Sequence, residues 1–93
     1  MKIYNEKALK ELLIRYGTEL RTLRAYIDLS LEQDVDRDMM IIFYNECRLR
    51  LLFINKLKEL LVENRKPLEE YNGQYISLVR DINKLKTLTE VTK

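Results

Sequence analysis

Histidine and tryptophan are missing from this 93-residue chain, which has one cysteine, one proline and two glycines. Without histidine there is no Ser-His-Asp or Cys-His nucleophile pair, no histidine-ligated zinc, and no di-iron site built on Glu-x-x-His. The lone cysteine, Cys47, excludes a disulfide within the chain and fits a reducing compartment. Neither glycine has another nearby, so a glycine-rich phosphate loop is excluded as well. The scarcity of glycine and proline argues against a turn-rich β protein and for long uninterrupted helices.

Long apolar runs are also missing. The longest, Met39 to Tyr44, falls far short of the roughly 20 residues that span a bilayer. Met1 to Lys7 alternate charged and apolar character and lack the apolar core of a signal peptide. The expectation is a soluble, cytoplasmic protein with no membrane partner. Nor does one sign of charge dominate: 17 Lys+Arg against 15 Asp+Glu leave a net +2, too little to draw the chain to nucleic acid. What is present is 46% hydrophobic and 34% charged residues, enough apolar material for a core. The length fits one small domain, and chains this short often lean on oligomerisation for stability.

The apolar spacing is helical throughout. Leu9, Leu13, Tyr16, Leu20, Leu23 and Ile27 are spaced 4, 3, 4, 3, 4, a heptad seam that no strand produces. Asn5 can cap this first helix, expected over 6–32, and Glu11–Arg15 and Arg24–Asp28 can pair along it. An acidic connection follows, in which Asp34 or Asp36 can cap a second helix over 36–64. Pro67 suits the first position of a third helix over 67–87, whose seam is Leu68, Tyr71, Tyr75, Leu78, Ile82 and Leu85. Asn72-Gly73 then falls inside that helix as a weak point, and the chain beyond Thr87 is expected to fray.

The second helix has two apolar stripes. One runs through Met40, Phe43, Cys47, Leu51, Ile54 and Leu61, and the other, nearly opposite, through Ile42, Leu49, Phe53 and Leu60. Ile14 and Leu29 repeat the feature more faintly on the first helix. A helix apolar on two sides must be covered on two sides. A three-helix bundle covers one broad face of each helix, which leaves Ile42, Leu49, Phe53 and Leu60 to an interface. A two-fold homodimer is the economical cover.

Other patterns carry less. Asp34-Val35-Asp36-Arg37-Asp38 resembles the start of a calcium-binding EF-hand loop, but Met39 and Asn45 occupy the positions that need glycine and a bidentate glutamate. Cys47 lies on an apolar stripe, where packing explains it better than reactivity. Arg50 stands beside the same stripe with Glu46 one turn earlier, as a snorkelling arginine would. Arg21, Arg24, Arg48, Arg80 and Lys84 are the candidate nucleic-acid contacts, although Glu19, Asp28, Glu46 and Asp81 interrupt every basic row.

The sequence therefore points to an all-α protein, an antiparallel bundle of three long helices completed as a homodimer. The expected function is non-enzymatic and needs no cofactor or metal. It is that of a helical interaction module, self-associating through Ile42, Leu49, Phe53 and Leu60 with help from Ile14 and Leu29, that binds a further, unidentified protein partner. The alternative is a nucleic-acid-binding accessory protein.

Overall fold

The computed structural model describes residues 5–32 and 34–91. Met1–Tyr4, which belong to the opening charged and apolar stretch, lie outside the described residues, as do Gln33, Thr92, Lys93 and the side chain of Val91. Three helices, α1 (Glu6–Glu32), α2 (Arg37–Glu63) and α3 (Asn72–Val91), pack against one another in a body of 51 × 21 × 16 Å. Their contacts fix the directions. Tyr26 of α1 meets Phe43 of α2 and Arg15 meets Phe53, so higher numbers on one helix face lower numbers on the other. Between α2 and α3 the Tyr75 hydroxyl donates to Asn55, and Arg37 donates to the Thr89 carbonyl. Successive helices are therefore antiparallel, and α1 and α3 run parallel.

Helix ends follow from local hydrogen-bond chemistry. The Asn5 side-chain oxygen accepts from the amides of Lys7 and Ala8 at 2.9 and 3.2 Å, and Asp36 accepts from Met39 at 2.9 Å. Each satisfies amides that the first turn of a helix leaves without partners. Of the two acids that could cap α2, Asp36 does so. At the other end of α2 the Lys66 amide donates to the Leu61 carbonyl and the Arg65 amide to Val62, the paired bonds of a Schellman turn. That turn places Arg65 at a φ of 58°, a left-handed conformation in which glycine is the usual occupant.

The seam of α1 is buried from Leu9 to Ile27, with Leu13 half-buried at its edge. Cys47, Ile54, Leu57 and Leu61 of α2 and Leu78, Ile82 and Leu85 of α3 complete the core. The third helix differs from the sequence expectation at its start. Pro67 does not open it, because the Schellman turn at the end of α2 consumes the Lys66 amide and leads the chain through residues 66–68 in a non-helical path. Leu68 is buried under the bundle, and a single 3-10 turn, Glu69–Tyr71, closed by the Tyr71 amide on the Leu68 carbonyl, delivers the chain to α3. Asn72-Gly73 is therefore not a weak point within a helix but the start of one, where glycine costs least. The far end of α3 stays helical through Val91, and Arg37 grips it at Thr89.

Gly17 sets how closely the 3-10 turn approaches α1. A β-carbon there would lie 3.0 Å from the Tyr71 hydroxyl oxygen and 3.1 Å from its ring, and Tyr71 also packs edge-on against Tyr16 at 5.6 Å. Two substitutions test these local constraints by thermal and urea unfolding. Arg65→Gly relieves the left-handed backbone and is expected to stabilise the fold by about 0.5–1 kcal/mol. Gly17→Leu drives a side chain into Tyr71 and is expected to destabilise it by about 1–3 kcal/mol.

Candidate functional site

Because α1 and α3 both lean on the same side of α2, its remaining side is left to solvent. Ile42, Leu49 and Phe53 are 56%, 61% and 44% exposed, and Leu60, the fourth member of the stripe, is half-buried. Phe53 stands at the margin next to α1, where the Arg15 guanidinium lies over its ring at 5.4 Å. Arg15 itself pairs forward along α1 with Glu19 at 2.8 Å. Two further exposed side chains widen the stripe: Met39 at its start and Leu52 beside Phe53. Sequence reasoning passed over Leu52 because it lies off the seam by one position, although a flanking position of a heptad is close enough to join the same face.

Ile14 and Leu29 of α1 are 60% and 55% exposed, and they do not form one surface. Helical spacing sets them only about 60° apart around α1, both facing away from its buried seam, but roughly 22 Å apart along its axis. Leu29 lies towards the side on which Tyr26 and Arg15 meet α2. Ile14 lies towards the side on which Gly17 and Arg24 meet Tyr71 and α3.

Between the stripe and the core sits a small polar cluster. The Arg50 guanidinium lies over the Tyr26 ring at 5.1 Å and is 3.2 Å from the Glu46 carboxylate. Its Nε is buried with no hydrogen-bond partner. Arg50 is thus half covered by an aromatic ring, where a fully snorkelling side chain would hold its head in water. Beneath it, burial pushes the Cys47 thiol up to about 11. At neutral pH the thiol stays protonated and is a poor nucleophile.

The basic residues are dispersed. Arg24 donates to Asp28 at 2.6 Å, to Asp81 at 2.7 Å and to the Ser77 hydroxyl at 3.0 Å, tying α1 to α3. Arg80 and Lys84 approach the same Asp81 carboxylate at 3.3 and 3.8 Å. Hydrogen bonding from Arg24 holds the buried Asp81 carboxyl below the usual range, against the opposing effect of its burial. Arg21, which donates to the Thr18 hydroxyl at 3.2 Å, lines an open groove of about 630 Å³ between α1 and α3. Arg48 is exposed on α2. Of the five basic candidates, three converge, and they converge on an acid.

No known protein family matches the chain, and no curated protein or solved structure matches it significantly.

Asp81→Asn keeps the shape of the α1–α3 tie and removes its charge. At neutral pH the variant is expected to be less stable by about 2 kcal/mol, the scale of a hydrogen bond to a charged group. The folded carboxyl is more acidic than the unfolded one, so its contribution is complete above the unfolded value and disappears as pH falls through the folded one. Urea unfolding of both proteins checks this: their stability difference should shrink progressively below roughly pH 4.

Proposed function

We propose that this chain is a non-enzymatic helical interaction module that self-associates through the outer stripe of α2. The observation that carries the reading is the exposure of Ile42, Leu49 and Phe53 in one row, widened by Met39 and Leu52. From Ile42 to Phe53 the row extends about 16 Å along the helix axis. Single exposed leucines are ordinary on protein surfaces, whereas an extended apolar row marks a surface that another macromolecule covers. A second copy is always available at the same concentration and in the same compartment, and closed two-fold dimers are the commonest soluble assemblies. In the dimer, the charged outer faces of α1 and α3 remain for a further protein partner. Leu29 joins the margin of the self-association surface, and Ile14 is peripheral to it.

A nucleic-acid-binding role would rest on Arg21, Arg24, Arg48, Arg80 and Lys84. It has less support, because Arg24, Arg80 and Lys84 surround Asp81 and their charge is partly compensated there. Arg48 stands on a different helix from the rest.

The substitution Phe53→Asp places a charge in the middle of the row and leaves the core untouched. The variant is expected to fold with wild-type helicity and to have the solution mass of one chain by light scattering, at concentrations where the wild type has twice that mass. An unchanged dimer mass in the variant would contradict the assignment of this surface.

A further inference from the structure

The outer stripe of α2 is self-complementary when reversed. Counting from Leu51, Leu49 and Phe53 each lie two residues away, Glu46 and Lys56 five, and Ile42 and Leu60 nine. All six occupy one heptad seam, with Ile42, Leu49 and Lys56 at one seam position and Glu46, Phe53 and Leu60 at the other. When two such helices pack antiparallel, the two seam positions face each other in layers. We infer that the self-association proposed above, on which this inference rests, is an antiparallel two-fold pairing of α2 with α2 of a second copy, centred at the level of Leu51. In that register Ile42 meets Leu60, Leu49 meets Phe53, and Glu46 meets Lys56, each twice by symmetry.

The two charged layers decide the direction. The apolar residues match in either sense, since a parallel pairing sets each residue against its own copy. The same parallel pairing sets Glu46 on Glu46 and Lys56 on Lys56, two like-charge layers in the middle of the interface. The antiparallel one converts both into opposite-charge layers. Opposed helix dipoles, side by side in the antiparallel pairing, add a small preference for that sense. The folded chain is compatible with this arrangement. The Lys56 side chain, loosely paired with Glu59 at 3.6 Å, is 81% exposed, and Glu46, although paired with Arg50, keeps 41% of its side chain open to a second cation. Leu52, on the flank away from α1, comes opposite its own copy near the two-fold axis. The next layer outward sets Met39 against Glu63, so the apolar match ends at Ile42 and Leu60 and the seam is roughly 27 Å long.

Charge reversal reads the register directly. Glu46→Lys or Lys56→Glu alone replaces two opposite-charge layers by like-charge ones, and each is expected to weaken dimerisation by roughly tenfold in sedimentation equilibrium. The double variant Glu46→Lys/Lys56→Glu restores opposite-charge layers and is expected to return to near wild-type affinity. Each single variant also loses a pair within its own chain, Glu46–Arg50 or the exposed Lys56–Glu59 contact at 3.6 Å, so the restoration by the double variant is the deciding comparison. A covalent readout is independent of affinity: in Glu46→Cys/Lys56→Cys, mild oxidation should join position 46 of one copy to position 56 of the other, with buried Cys47 taking no part. A wild type that dimerises with unaffected single variants, or with disulfides joining 46 to 46 and 56 to 56, would overturn the antiparallel register and leave self-association standing. A wild type that stays monomeric would overturn both.

Discussion

Two neighbouring helices that lean on one side of a third leave its other side bare, and the rest of this molecule is arranged around that limit. The bundle resolves the conflict on α2 in favour of Cys47, Ile54 and Leu61, which are fully buried, and against Ile42 and Leu49, which are more than half exposed. Burial of the first set against α1 and α3 closes the core. Exposure of the second set is the consequence that the proposed dimer removes. In a chain this short, an interface that buries further apolar area adds to a core that is necessarily small.

Polar contacts between helices set alignment more than they supply stability. Arg24 reaches Asp81 and Ser77 across the α1–α3 contact, and Tyr75 reaches Asn55 across the α2–α3 contact at 2.6 Å. Apolar seams spaced by heptads can slide by a turn at modest cost, whereas a buried carboxylate that must face one guanidinium admits one register. Arg50 shows the opposite bargain: its Nε is buried without a partner, and the ring of Tyr26 and the carboxylate of Glu46 compensate for it. Glu46 also lies on the outer seam, so the same acid joins the polar edge of the core to the surface proposed for a second copy.

Much of the fold was legible because heptad spacing is a physical requirement of packed helices. The seam through Tyr16, Leu20, Leu23 and Ile27, the caps at Asn5 and Asp36, and the exposed row on α2 all follow from local spacing and side-chain chemistry. The connection before α3 was not legible. Whether a proline opens a helix depends on what the preceding turn does with its amides, and here the left-handed Arg65, with no glycine to announce it, redirected the chain. Nor could spacing reveal that Arg24 pairs with Asp81, 57 residues away, which turned three candidate nucleic-acid contacts into the surroundings of one acid. The register symmetry about Leu51, by contrast, is written in the sequence but acquires meaning only once that face is known to be open.

The central claim is that a second copy covers the outer face of α2. Hydrogen exchange of the wild-type chain as a function of its own concentration addresses it most directly, since it reports both whether association occurs and where. The account predicts that raising the concentration slows exchange along α2 between Ile42 and Leu60, while the outer surface of α3 is unchanged. Exchange that is independent of concentration throughout, with a solution mass of one chain, would contradict it.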